Sequence, residues 1–485
     1  MSVSRNARRV LGWCTRLKGD HFLYRWMVVW VLAVLWGEAG VFWYKRCAWA
    51  ADDGGAAGAG IVVMADIQLM DHSTYSFAPR GSMLLMLAEL VNDAFLRRAF
   101  RFVVRPLGAA AHIYAGDLFD NLRAADDATR QQYVRRFESI TALALGVASS
   151  TDETPSLVVE GNHDVGLRKA YSPAAQAWFA SHLLNRTHRV HRTVAADIVM
   201  VNAPALVSLP RSHPEVVASL QAAADPSSCR PEVACILVSH IPLWRDAGEG
   251  CNGAHGGAGH DWRARGGGNR GIIDVEGYGY LNLLPDDLSN EILWAPTGGK
   301  GRWDAVLSGD DHSWCVHTHH RPASADLHVH TDRANEVVEF TVGTMSWLQG
   351  ATSSWVLLLQ CRLPTADRQG PVVREGQSSA GGAGGGWGSG GGGGSAWGRE
   401  LADVQFGRGA KCVARPCALP KERHVLYSYC GLAVLTVFGC IARMAWDSAY
   451  GLRRGLAALV GECARRVAVL LVWALSLWAL LLCLV

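Results

Sequence analysis

Five short apolar runs, at residues 61–65, 111–115, 157–159, 235–238 and 305–307, each break off into a cluster of polar, ligand-bearing side chains. The clusters are Asp66-Ile67-Gln68, Gly116-Asp117-Leu118-Phe119-Asp120, Gly161-Asn162-His163-Asp164, Ser239-His240 and Gly309-Asp310-Asp311-His312. Apolar runs this short, without polar alternation, read as strands buried on both faces. Strands that end at one edge of a sheet deliver their following loops to a single rim. The pattern therefore calls for an α/β fold in which five loops pool carboxylates, imidazoles and one amide.

Such a mixed oxygen and nitrogen set suits divalent cations, and a shared carboxylate can hold two of them close enough to clamp a phosphate. Asp66 is expected at a first metal and Asp117 between two metals. Asn162, through its carbonyl oxygen, and His240 serve the second metal, and His312 returns to the first. His163 is expected to protonate a leaving alkoxide, with Asp164 orienting its ring and Asp120 standing behind the ligands. Taken singly, an Asp after a strand is an ordinary helix cap or turn residue. The argument rests on all five clusters occurring in order.

The 485 residues carry a formal charge of only +3 and no Lys/Arg-rich stripe with interleaved aromatics, so no nucleic-acid partner is expected. Basic residues gather instead beside long apolar runs at 26–44, 425–442 and 467–485, each about the length of a bilayer span. The first reads as a signal anchor, with a cleaved signal ending near Cys47-Ala48-Trp49-Ala50 as the alternative. Arg5, Arg8, Arg9, Arg16 and Lys18 precede it, and Arg443, Arg453, Arg454, Arg465 and Arg466 separate the other two. The positive-inside rule then puts 1–25 and 443–466 in the cytosol and the intervening domain across the membrane, in the lumen. Glu38, inside the first run, must face another span or sit at the headgroups.

Residues 45–60 read as a linker, 61–363 as the folded domain and 364–424 as a Gly-rich flexible and juxtamembrane stretch. Residues 82–98 and 129–145 carry apolar side chains at helical spacing. Asn185-Arg186-Thr187 is a glycosylation sequon. Cys47, Cys229, Cys235, Cys251, Cys315, Cys361, Cys412 and Cys417 fall in the non-cytosolic part, where disulfides can form. His317, His319 and His320, irregularly spaced beside Arg321-Pro322, read as a solvated loop rather than a second metal site.

The five clusters resemble the calcineurin-like metallophosphoesterase superfamily, which implies a β-sandwich flanked by helices, here with N- and C-terminal transmembrane helices. Within it, Met200-Val201-Asn202, Ser239 through Arg245, Asn282-Leu283-Leu284 and Thr344-Met345-Ser346-Trp347 are similar to the membrane-bound GPI-glycan-remodelling enzymes. That resemblance implies a multi-pass phosphodiesterase of the endoplasmic reticulum or Golgi membrane, using two divalent metals, Mn²⁺ above all. Its substrate would be GPI lipid or GPI-anchored protein, from whose mannose it removes ethanolamine phosphate. Another lipid or nucleotide ester, or a silent metal- or cargo-binding scaffold, are the alternatives. Similar cysteines bracket the fourth strand in that family, implying a Cys229–Cys251 disulfide, with Cys235 as the alternative partner. Two positions depart from the superfamily pattern. Gln68 stands where a His is usual and offers only an amide oxygen, and Asp310 replaces the first His of the last motif.

Overall fold

A computed structural model describes residues 21–49, 60–74, 79–143, 145, 154–184, 189–245, 281–294, 303–312, 314–321, 336–346, 354–362, 404–406, 411–449 and 456–484. Two six-stranded mixed sheets pack face to face. The first holds β1 (Gly60–Met64), β2 (Ala111–Tyr114), β3 (Ser156–Val158), β10 (Trp355–Arg362), β11 (Val404–Phe406) and β12 (Lys411–Ala418), in the order β11-β12-β10-β1-β2-β3. The second holds β4 (Val190–Arg192), β5 (Ala196–Met200), β6 (Ala234–Val238), β7 (Ala305–Ser308), β8 (Cys315–His320) and β9 (Glu336–Thr341), in the order β4-β5-β6-β7-β9-β8.

Alternation along the strands divides the core. Ile61, Val63, Ile113, Ile236, Val238 and Leu307 point between the sheets. Val62, Met64 and Tyr114 point outward against α2 (Met83–Ala99), α3 (Asp127–Thr141) and α4 (Pro173–His182). Leu237 and Val306 point the other way, against α5 (Pro214–Ala224) and α6 (Asp286–Trp294). With helices outside and a sheet inside, these strands have no wet face, which is why they appear in the sequence as unbroken apolar runs.

β1, β2 and β3 run parallel, as do β5, β6, β7 and β9. Their carboxyl ends thus open at a common rim. Short backbone bonds carry the β6–β7 pairing into the rim, Gly309 N–H donating to His240 O and Ser239 N–H to Leu307 O at 2.8 and 2.9 Å, and Met345 N–H, after β9, donates to Ala65 O, after β1, at 3.0 Å.

The first sheet extends beyond the boundary expected at 363. β12 pairs antiparallel with β10 over its whole length, and Cys361–Cys412 bridges the two strands. Nor is the start of 45–60 a free linker. Cys47 is bonded to Cys417, and Trp49 Nε1 donates to Leu107 O at 2.8 Å. The histidine cluster differs as well: His317 and His319 lie buried on β8, not in a solvated loop.

Glu339 on β9 explains that burial. It accepts from His319 Nε2 at 2.7 Å and from Ser308 Oγ at 2.6 Å, and Arg245 lies 3.5 Å away. Burial opposes its ionisation, but Arg245 and His319 outweigh this and bring its pKa down to about 2. A depressed carboxyl stabilises the fold above its unfolded pKa, and the contribution is lost as pH falls through the folded value. Glu339→Gln should therefore melt below wild type at pH 7, with the gap closing as pH drops from 4.5 toward 2. A pH-independent gap in melting temperature would show that the charge contributes nothing.

Three long helices form a bundle beside the domain: α1 (His21–Tyr44), α7 (Glu422–Ala449) and α8 (Leu456–Leu484). Among the described residues, two stretches are long and apolar enough to cross a membrane, His21–Tyr44 with mean hydropathy 1.6 and Glu422–Arg443 with 1.9. Leu23, Met27, Cys440 and Leu470 pack inside the bundle, while Val28, Leu32, Leu435 and Phe438 face outward. A π-helical turn, Trp36–Gly40, carries Glu38 to the interior. There Arg98 Nη1 of α2 donates to it at 2.5 Å, Tyr429 Oη at 2.8 Å and Trp478 Nε1 at 3.1 Å. Arg98 Nη2 also meets Glu422, at 2.7 Å. Of the two placements open to Glu38, the one facing other helices is observed.

Candidate metal centre

The rim gathers its ligand-bearing residues in a left-handed backbone. Asp66, Gln68, Asp117, Asp310 and His312 all have positive φ, between 43° and 63°. Asp and His tolerate this region better than most residues, but Gln pays a conformational penalty there, and such strain collects where a site dictates side-chain direction. Two glycines allow the close approach. A Cβ at Gly116 would overlap the His240 ring, and one at Gly161 would overlap the Asp117 carboxylate.

Asp66, Asp117 and His240 are buried, and their ligand atoms lie within 4.8 Å of one another, a cluster able to hold a metal ion. His240 Nδ1 donates to Ala115 O at 2.8 Å, so its Nε2 faces the cluster, 3.4 Å from Asp117 and 3.6 Å from Asp310. On the other side, His312 Nε2 is 3.6 Å from Asp66 and 3.1 Å from Gln68 Nε2. Gln68 Nε2 in turn lies 3.3 Å from Asp117 Oδ2, while its buried Oε1 has no partner. As placed, the amide turns its nitrogen inward, and exchanging the two ends would supply the oxygen expected of it.

Asn162 provides a test of fit. Its amide oxygen faces acceptors: Asp117 Oδ2 at 3.1 Å, Asp310 Oδ1 at 3.2 Å and His240 Nε2 at 3.0 Å. Rotating the amide would turn these into hydrogen bonds, whereas a cation at their centre suits the oxygen where it stands. The charges point the same way. Burial raises the Asp66 pKa well above the ordinary range, and Asp117 and Asp310 add to it against the pull of His240. Burial also opposes ionisation of Asp117, but His240 and His163 hold its pKa below the usual range. His240 stays protonated far above its normal pKa, because Asp117, Asp66 and Asp310 overcome its burial. Several acidic groups around one buried spot are what a divalent cation stabilises.

Asp164 does not orient His163. It is fully buried and accepts from the backbone N–H groups of Gly161, Leu118 and Phe119, at 3.1, 3.4 and 3.3 Å. It thus ties the third loop to the second, and burial with Asp117 alongside pushes its pKa up to about 7. A helix-capping geometry, with Asp164 two residues inside the turn Asn162–Val165, aims it back at the loop rather than at its neighbour. The partner of His163 is Asp120. His163 Nδ1 bonds the Asp120 carbonyl, the Asp120 carboxylate is 3.7 Å from the ring, and Nε2 points to Asp117 at 3.9 Å.

Two roles escaped the sequence reasoning, that of Arg123 and that of Thr344 within its motif. Arg123 Nη1 donates to Asn162 O at 2.8 Å, bringing a permanent charge to the turn. Thr344 Oγ1 donates to Asp66 O at 2.7 Å and its N–H to His312 O at 3.2 Å, which gives part of the Thr344-Met345-Ser346-Trp347 motif a buttressing role. Neither carries a local signal, since each acts through backbone carbonyls distant in sequence.

Cys229 is bonded to Cys235, not to Cys251. The turn Pro226–Ser228 brings Cys229 back to the entry of β6, 5.5 Å between Cα atoms, which is within disulfide range. Cys251 and the sequon at Asn185 lie outside the described residues.

No protein-family model matches the chain. It is 22% identical over 328 residues to Cell division control protein 1 of Saccharomyces cerevisiae, covering 66% of this chain and 60% of that protein. It is 28% identical over 120 residues to Metallophosphoesterase 1 homolog of Drosophila melanogaster, covering 25% of this chain and 30% of that protein. The chain thus spans less than two thirds of either relative. It is similar over part of its length to a protein named a metallophosphoesterase homolog, and its buried Asp66, Asp117 and His240 form a cluster that could hold a metal ion.

Proposed function

We propose that this protein is a membrane-anchored, dinuclear phosphodiesterase that removes ethanolamine phosphate from a GPI-linked mannose, with its catalytic domain in the lumen of the secretory pathway. The observation that carries the dinuclear reading is Asp117, whose carboxylate touches two groups of side chains. Gln68 lies on one side of it, with His312 and Asp66 beyond. Asn162, His240 and Asp310 lie on the other. These groups would hold two cations, with Asp117 shared, and the oxygen-rich set favours Mn²⁺ or Mg²⁺ over zinc. When bound, the cations supply Lewis-acid polarisation of the phosphate and acidify a water.

The chain's own residues supply the rest. His163, half-buried with Nδ1 committed to the Asp120 carbonyl, holds Nε2 3.9 Å from Asp117, in place to hand a proton to a leaving alkoxide. Arg123 fixes the turn that carries Asn162 and His163. The choice of a lipid-linked substrate is supported by two apolar helices joined to the domain through Glu38 and Arg98.

His163→Ala should keep its metal and lose about 10²–10⁴-fold in turnover on alkyl esters. An activated aryl diester should lose less, because its leaving group needs no proton. Equal losses on both would remove the proton-donor role. The substrate is tested by mass analysis of GPI glycans from cells lacking the protein. Retained ethanolamine phosphate is expected, and unchanged anchors would overturn the assignment.

A further inference from the structure

The helix α2 leaves an apolar face uncovered that the metal centre does not use. Met83, Leu84, Met86, Leu87 and Leu90 are exposed to between 44% and 88%, although a soluble surface rarely shows so contiguous an apolar patch. Met83, Leu87, Leu90, Ala94 and Arg98 follow one another at intervals of three or four residues, so they form a single stripe along the helix. Its two ends have different surroundings. At the carboxyl end, Ala94 and Arg98 are buried, and Arg98 pairs with Glu38 of α1 and Glu422 of α7. At the amino end no described residue covers the stripe.

We infer that the bare end of α2 lies in the bilayer surface as an interfacial helix, its Met83–Leu90 stretch immersed among lipid headgroups and upper acyl chains. The inference rests on the reading of His21–Tyr44 and Glu422–Arg443 as spans. Its support is continuity: the stripe begins where the helix packs on the ends of those spans. Phe42 sits 5.8 Å from Phe95 and 5.3 Å beneath the Arg98 guanidinium, centroid to centroid and to the charged carbon. The residues just after it, Trp43 and Tyr44, are exposed aromatics followed by Lys45 and Arg46, the composition of a membrane–water boundary. The carboxyl end of α2 is therefore anchored at headgroup depth. A helix leaving that level with five bare apolar side chains finds its partner in the lipid beside the bundle.

The arrangement also aims the metal centre. Asp93 of α2 binds Arg136 Nε at 2.8 Å, and Arg136 Nη1 donates to Met70 O at 2.7 Å, two residues past Gln68. An immersed α2 would hold this loop, and the rim it belongs to, near the headgroups, where a lipid-linked phosphodiester resides.

The test uses the full chain in phosphatidylcholine vesicles, with an environment-sensitive fluorescent amino acid in place of Leu87 and, in a second protein, of Met83. Probes in place of Leu32 on α1 and of Val194, an exposed residue between β4 and β5, serve as references. Quenching is compared between nitroxide-bearing lipids and aqueous iodide. The expected result is a blue-shifted probe at 83 and 87, quenched by the lipid nitroxide as strongly as the Leu32 probe and protected from iodide. Iodide quenching without lipid quenching, as expected at Val194, would overturn the inference while leaving the spans intact. Protection from both quenchers would overturn it in favour of a protein partner or a second copy. Loss of lipid quenching at Leu32 would instead remove the reading of the spans.

Discussion

Asp117→Ala should abolish turnover and lower the amount of divalent metal that copurifies with the protein. Its carboxylate touches both halves of the centre, at 3.3 Å from Gln68 and 3.1 Å from Asn162. It also accepts from His163 N–H at 2.8 Å, so its loss frees the turn that carries two other site residues. Residues that merely support ligands cost 10–100-fold when removed. The loss at Asp117 should exceed about 10³-fold, read as turnover on a diester alongside metal content by elemental analysis. An active variant with unchanged metal would sink the shared-carboxylate assignment.

Arg98→Met should be the most destabilising single change outside the metal centre. Its guanidinium pairs with Glu38 and Glu422 at once, and all three side chains are at most 3% exposed. Removing one member of a buried ion pair costs about 3–5 kcal/mol, because the partner charge stays behind without compensation. Here two carboxylates would be left facing one cavity. Adding Glu38→Gln and Glu422→Gln to Arg98→Met should recover most of the loss, since the remaining groups are neutral and can share hydrogen bonds with Tyr429 and Trp478. Thermal unfolding of the detergent-solubilised chain reads both effects. An unchanged midpoint in Arg98→Met would mean that water, not the protein, satisfies Glu38.

The strands that carry the metal loops were legible because each is buried on both faces and so shows as a solid apolar run. The loops were legible because ligand chemistry restricts their residue types. β12 was not. Its sequence, with Lys411, Arg415 and Pro416, lacks an apolar run and follows a Gly-rich tract that draws attention away from strand pairing. Glu38 stood out as a charge within an apolar stretch, but its partner lies 60 residues on and no local pattern links the two. Asp164 shows the limit within a motif: adjacency to His163 suggested a contact, while the turn of backbone between them directs the carboxylate to three N–H groups instead. The Cys229–Cys235 bridge was obscured for a similar reason, because a six-residue separation becomes productive only once the turn before β6 is known.

β12 has a consequence for the order in which this molecule can be built. Its partner β10 is finished at Arg362, yet the strand that covers that edge begins only at Lys411. While the chain is being made, β10 therefore presents open N–H and C=O groups, a surface on which unfinished sheets pair wrongly. The intervening length adds little to the cost of closure, since doubling a loop costs only about 0.6 kcal/mol. Glu422, the first residue of α7, follows four residues after β12 ends at Ala418. Completion of the sheet is thus timed to the emergence of the second long helix, and a ribosome paused just before Lys411 would hold a domain whose metal-binding half is made but whose edge is still open.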